Sequence, residues 1–528
     1  MLDRSSVARA PLYRPELESD ACGVGLVADA SGRRSHAVVE RALEALRRLA
    51  HRGPARNTCP DGAGILTQIP WTLLERELPA RARAAAGSRV VGMFFLPAGS
   101  RGLIAPAIER TLSDAGWRWL RWRSVPMQTS RLHSAARRSM PDIWQLVAAA
   151  DRQLPDADRA LHGARLRIER QAAEFRLPGF SVVSLSTATV VYKGLVTPNE
   201  LPDVFQDLQD PLFQSALAIV HQRFSTNTAP EWRLAQPFRM LAHNGEINTI
   251  HGNRIWMRAR ARDARCLGAY AGERVLDETG SDSQSLDEVV ELLRHSGFSL
   301  AHAISRLVPP AWEQDSETPP EVAAFHAYQA CFSEPWDGPA ALAFTDGRVI
   351  GAALDRNGFR PLRYLKTTDR QLLLGSEAGI FDVPETDVTC RGRVGPGELI
   401  VVDTVDGTIR ETTSVRKVLA RQRPYRQLLA RTVVMPQRTG PPVQRTDAAR
   451  GETLVRLQRA FGYTREEVEM ILRVMADQGE EAVGSMGDDA PIAPLSEFGR
   501  TLPDYFRQRF AQVTNPPMDP LREACVMS

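Results

Sequence analysis

Two Asp-Gly dipeptides, Asp346-Gly347 and Asp406-Gly407, constrain this chain more than any other local feature. Each stands between short β-rich runs, 340–345 and 348–354 for the first, 398–405 and 408–410 for the second. An Asp-Gly pair in that setting predicts a β-hairpin with a type I′ turn. Further strand candidates are 90–96, 180–193, 215–224 and 372–374. Helical spacing marks 36–50, 157–174, 285–306 and 319–332. Strands and helices come in blocks rather than in βαβ alternation. That arrangement predicts stacked antiparallel sheets covered by helices, an α+β fold. After about residue 425 the pattern changes. Residues 435–450 read as a linker, and 451–461, 464–478 and 502–514 are mostly helical in spacing.

Composition removes several classes of function. The chain has 528 residues, 43% of them hydrophobic, which supports a large core. No apolar run reaches the roughly 18 residues of a membrane span. The net charge of +3 is too small for a nucleic-acid footprint. Lysine occurs only at Lys193, Lys366 and Lys417, with arginine supplying the other basic residues. Acidic residues match them in number, so this reads as a coding bias rather than a phosphate-binding field. The stretch from Trp117 to Trp122 reads as a partly buried strand edge, not a base-stacking patch. Six cysteines, at 22, 59, 266, 331, 390 and 525, lie far apart. No pair has zinc-ligand spacing, so free thiols in a reducing cytoplasm are expected and no metal site is.

One of those thiols has a special position. Residues 1–21 are polar, with arginines and acids interrupting every apolar pair, unlike a secretory signal. The chain then switches to the strand-like Cys22-Gly-Val-Gly-Leu-Val-Ala28. That switch predicts a removable propeptide, 1–21. A cysteine freed as residue one carries its own base, because its α-amino group titrates near pH ~7.7–8.0. By local sequence alone Cys22 reads as a structural cysteine at a strand start; the rest of the chain reverses that reading.

The densest polar block is His221-Gln-Arg-Phe-Ser-Thr-Asn-Thr228, leaving a buried strand. His243-Asn-Gly-Glu-Ile-Asn-Thr249 and Gly280-Ser-Asp-Ser283 follow. Together they hold what a primary-amide amino acid such as L-glutamine requires. Arg223 and Thr226 are the types that bind an α-carboxylate, and Asp282 the type that binds an α-ammonium. The Asn244 side-chain amide and the Gly245 N–H are candidate oxyanion donors. Cys22 is the candidate nucleophile. Taken singly, Arg223 reads as a surface ion pair, Asp282 as a helix cap and Asn244-Gly245 as a turn.

Jointly, Cys22-Gly-Val-Gly, His51-Arg-Gly, Arg223-Phe-Ser-Thr226, His243-Asn-Gly and Ser281-Asp-Ser resemble the class II glutamine amidotransferases, hydrolases with an amino-terminal nucleophile. Within them, 221–228, 240–249, 334–339, 354–361, 484–487 and 510–517 resemble, in order, the glutamate synthase large subunit. The resemblance implies a four-layer αββα sandwich over 22–425. It implies that 426–528 are a linker and the truncated start of a central domain. It implies cleavage after Ala21, a γ-glutamyl thioester on Cys22, glutamine held by Arg223, Thr226 and Asp282, and an oxyanion hole from Asn244 and Gly245. FMN and an iron–sulfur cluster are expected only in a full-length synthase or a separate synthase subunit, since no cysteine cluster here fits. The expected chemistry is therefore glutamine hydrolysis, with ammonia passed to a synthase partner. Competing expectations are a non-catalytic truncated subunit serving assembly or regulation, and another amidotransferase or an amino-terminal-nucleophile acylase.

Overall fold

A computed structural model describes residues 22–53, 60–78, 88–150, 154, 156–223, 230–261, 274–313, 315–432, 450–479, 482 and 497. The chain divides after Leu429 into two compact units.

In the first unit every strand pairing among the described residues is antiparallel. A seven-stranded sheet runs, edge to edge, through Val388–Arg393 (β14), Arg363–Thr367 (β12), Gln371–Gly375 (β13), Gly23–Asp29 (β1), Leu217–Gln222 (β8), Ala63–Gln68 (β2) and Thr189–Gly194 (β7). A five-stranded sheet runs through Thr408–Glu411 (β16), Leu399–Asp403 (β15), Val349–Leu354 (β11), Ala340–Thr345 (β10) and Leu241–Gly245 (β9).

Side-chain alternation explains how the two sheets stack. Ala341 and Ala343 of β10, with Ile400 and Val402 of β15, join Val24, Leu26 and Ile219 in one core between the sheets. Their neighbours Leu342, Phe344, Leu399 and Val401 face the other way. There they meet Leu286, Ile304, Phe325 and Val415, from the helices Asp282–His295, Leu300–Leu307, Pro320–Ala330 and Thr412–Ala420. On the outer face of the larger sheet lies the helix His36–Arg48, whose Ala45 packs with Leu49 and Ile380. Gly23 keeps that approach close, because a Cβ there would lie 3.0 Å from Leu49 at the end of the helix. The result is the expected α+β sandwich of four layers.

Three local expectations differ. The 180–193 segment is two strands, Ser181–Ser186 (β6) and β7, which enter different sheets. The 285–306 helix breaks at Gly297, whose φ of +97° suits glycine. The hairpin turns are not type I′: Gly347 and Gly407 have positive φ, but Asp346 and Asp406 do not. Asp346 instead uses its carboxylate to accept from the Arg348 and Val349 N–H groups at 3.1 and 2.8 Å.

A third sheet lies between β2 and β7 in the chain. Its strand order is Arg118–Ser124 (β4), Asp142–Ala149 (β5), Arg89–Leu96 (β3) and β6. The tryptophan-rich segment is thus an edge strand, as its pattern predicted. A buried network fastens this sheet to the sandwich. Arg123 donates to both oxygens of Asp207 at 2.6 and 2.7 Å and to Gln145 at 2.8 Å. The Tyr192 hydroxyl of β7 donates to the same carboxylate at 2.8 Å. Removing one partner leaves a charge uncompensated in the interior. Arg123→Met is expected to lower unfolding free energy by about 3–5 kcal/mol, read from urea denaturation.

In the second unit the described helices are Gly451–Ala460 and a segment from Arg465 to Gln478 with a π-helical turn at Val468–Leu472. Thr464 and Glu467 cap the latter reciprocally, at 3.1 and 2.7 Å.

Candidate functional site

Strand register brings three chain segments to one end of the larger sheet. Gly23 of β1 and Ala63 of β2 both pair with Gln222 of β8. The residues just beyond those pairs therefore emerge together: Cys22, Arg223, and Asp61 with Gly62. Cys22 is buried, with 8% of its surface exposed. The Arg223 N–H donates to the Gly62 carbonyl at 2.8 Å, and its Nε lies 3.0 Å from Asp61 Oδ2. Arg223 adopts φ +87°, a left-handed conformation that costs a non-glycine residue about 1–3 kcal/mol and occurs most often at functional sites.

The facing sheet supplies the second half. Strand β9 packs across from β1 and β8. The His221 Nε2 bonds the His243 carbonyl at 3.1 Å from one sheet to the other. Asn244 is buried, with 4% exposed, and pairs with Ala341. Gly245 has φ +154°, and a Cβ there would fall 1.7 Å from the Pro339 carbonyl oxygen, so no other residue fits. Asp282 opens the helix Asp282–His295 behind its cap Ser281, whose side chain accepts from the Gln284 N–H at 3.1 Å. The Asp282 carboxylate accepts from the Ile247 N–H at 2.8 Å.

Electrostatics locate the thiol among these charges. Burial pushes the Cys22 thiol up to about 11, opposed by the Arg223 and Arg360 cations and reinforced by the Asp282 and Asp61 carboxylates. His243 is held below the usual imidazole range by burial, against the pull of Asp282 and the Pro339 carbonyl. The Arg223 cation and the Asp282 carboxylate both act on the Cys22 thiol, and Asn244 and Gly245 lie on β9, which packs across from β1 and β8. Thr226 lies outside the described residues.

Two charges near the thiol had no assigned part in the sequence reading. Asp61 belongs to the turn Asp61-Gly-Ala-Gly64, and Arg360 to the 354–361 motif. Each was legible as a motif, but its direction depends on the fold. A third group braces the rim. Glu377 accepts from His51 Nε2 at 2.9 Å and Arg52 Nε at 2.6 Å. Burial would raise its carboxyl, but those bonds outweigh it and bring it to about 2. They tie the His51-Arg52-Gly53 turn to the segment that follows β13, and on its other side a Cβ on Gly53 would meet Gln222 Nε2 of β8 at 2.4 Å.

Among the described residues no group of three or more His, Cys, Asp or Glu side chains is arranged to hold a metal ion. No described helix is long and apolar enough to cross a membrane.

Comparison with known proteins places this geometry in a family. The family described as "Glutamine amidotransferases class-II" matches residues 22–428, and "Glutamate synthase central domain" matches 456–528. The chain is 42% identical over 528 residues to the ferredoxin-dependent glutamate synthase 2 of Synechocystis, covering 97% of this chain and 34% of that protein. It is 39% identical over 534 residues to the glutamate synthase [NADPH] large chain of Bacillus subtilis, covering 98% and 34%. The chain therefore spans about a third of the length of these relatives. A solved glutamine phosphoribosylpyrophosphate amidotransferase from B. subtilis aligns with a TM-score of 0.35 and 15% identity, over 74% of this chain and 48% of that one. The match over 22–428 settles the assignment: this chain belongs to the class-II glutamine amidotransferases.

Proposed function

We propose that the chain hydrolyses L-glutamine to L-glutamate and ammonia through a thioester on Cys22. The observation that carries this reading is the convergence of a buried thiol with a guanidinium and a carboxylate, the two groups that recognise an α-amino acid. Loss of residues 1–21 frees the Cys22 α-amine. The amine takes the thiol proton as Sγ attacks the side-chain amide carbon. The Asn244 amide and the Gly245 N–H donate to the oxyanion. The α-ammonium returns its proton to the leaving nitrogen, ammonia departs, and an acyl thioester remains. Water, deprotonated by the same amine, attacks the thioester, the thiol is regenerated, and glutamate leaves. Arg223 and Thr226 hold the substrate α-carboxylate, and Asp282 its α-ammonium. Residues 22–425 form the glutaminase domain, and 426–528 a linker and part of a central domain.

The ammonia acceptor is a synthase part bearing FMN and an iron–sulfur cluster, in a reducing cytoplasm that keeps the thiol free. The test combines amino-terminal sequencing with a glutaminase assay of the purified chain. Cys22 at the amino terminus with glutamine turnover supports the reading. A mature chain starting at Cys22 with no turnover, alone or with a synthase partner, overturns it. Asp282→Asn is expected to raise the KM for glutamine about 10–100-fold, the worth of one charge-assisted bond, measured by steady-state kinetics.

A further inference from the structure

The oxyanion dipeptide sits between two tethers to a single carboxylate. On one side, His243 Nδ1 bonds Ser283 Oγ at 2.8 Å, and Ser283 Oγ donates to Asp282 Oδ1 at 3.3 Å. On the other side, the Ile247 N–H donates to Asp282 Oδ2 at 2.8 Å. Asn244 and Gly245 lie in the chain between those two anchor points, His243 and Ile247.

The serine hydroxyl thus bridges the ring and the carboxylate, and the ring Nδ1 itself lies 3.9 Å from Asp282 Oδ2. His243 is also held by its backbone. Its N–H donates to Gln236 Oε1 at 2.7 Å, and its carbonyl accepts from Gln236 Nε2 at 3.2 Å and bonds His221 Nε2 at 3.1 Å. The His243 side chain is fully buried and Ser283 nearly so. Helix capping is already supplied by Ser281, so the hydroxyl at position 283 is not needed for that purpose.

We infer that His243 and Ser283 are positioning residues that lock the Asp282 carboxylate and the Asn244-Gly245 donors into one register, so that seating an α-ammonium on Asp282 sets the oxyanion hole. The inference rests on the proposed glutaminase reading and assigns that site a coupling it does not otherwise contain.

The coupling is testable on the full chain with two ligands that differ by the α-ammonium: L-glutamate, the product, and glutarate, which lacks it. Ser283→Ala is expected to raise the L-glutamate Kd about 10-fold and the glutarate Kd less than about 2-fold, with kcat for glutamine falling about 5–10-fold. His243→Leu should do at least as much. His243→Asn keeps a hydrogen-bonding group at the Nδ1 position, able to donate or accept, and should restore binding and kcat to within about 3-fold of wild type. Thermal melting of each variant separates these effects from unfolding, and Ser283→Ala, the smaller change, carries the decision if His243→Leu fails to fold. Equal changes for the two ligands, or no change in a stably folded Ser283→Ala chain, overturn the inference and leave the glutaminase reading standing. A wild-type chain that neither binds L-glutamate nor turns over glutamine overturns both.

Discussion

Replacing Cys22 with alanine is expected to lower glutamine hydrolysis at least about 10³-fold, while L-glutamate binding stays within about twofold. The loss is large because one residue holds both parts of the nucleophilic device. In the proposed mechanism its Sγ attacks and its α-amine moves the proton, so no histidine elsewhere compensates for the missing thiol. Binding survives because Arg223 and Asp282, to which the proposed function assigns the α-carboxylate and α-ammonium, come from other parts of the fold. The same logic applies before maturation. In the uncut chain position 22 has an amide instead of an amine, and burial pushes its thiol up to about 11. At neutral pH that thiol is protonated and unreactive. Alkylation of Cys22 by iodoacetamide, followed by peptide mass analysis, is therefore expected to be slow in the chain that retains residues 1–21 and faster once the amine is free. Equal rates would remove the amine from the mechanism.

Asn244→Ala carries the second largest effect. One oxyanion donor contributes most where negative charge develops in a site closed to water. Its loss costs about 10²–10³ in kcat, with KM changed only a few-fold. Asn244 meets that condition, being buried on the strand that faces β1. A KM effect without a kcat effect, seen in steady-state kinetics, would move Asn244 from oxyanion stabilisation to substrate binding. The partner donor cannot be tested in the same way. Any side chain at Gly245 would collide with the Pro339 carbonyl oxygen, so Gly245→Ala disrupts the strand end itself.

The two predictions differ in kind, as do the residues behind them. The switch from polar leader to strand marked Cys22 as the first residue after a removable leader, but locally it reads as a structural cysteine, and only the motifs farther along the chain made it the candidate nucleophile. Asn244 and Gly245 were legible only within a set, since an Asn-Gly pair alone marks a turn. The fold shows the same contrast. The β-rich runs beside Asp346-Gly347 and Asp406-Gly407 marked β10 and β15, and the helix at 157–174 matched its spacing. The break at Gly297 and the split of 180–193 between two sheets were not legible. An apolar run looks the same whether it continues or changes sheets, and what decides is which surface is available to cover it. The turn type also went unread, because the Asp346 carboxylate competed with the backbone for the turn's N–H groups.

By itself, then, the sequence indicated stacked sheets covered by helices and the inventory of side-chain types an amino-acid site needs, because these depend on side-chain type and local period, while its motifs named Cys22 the candidate nucleophile by resemblance. Only the tertiary structure decided which groups meet. Register at Gln222 puts Arg223 and Asp61 beside Cys22. Packing of β9, which carries Asn244 and Gly245, across from β1 and β8 brings the two sheets' site segments together. The bonds through Ser283 and Ile247 bind the dipeptide to Asp282. Those contacts join residues that are distant in the chain, and they form because buried polar groups must find partners wherever the packed sheets place them.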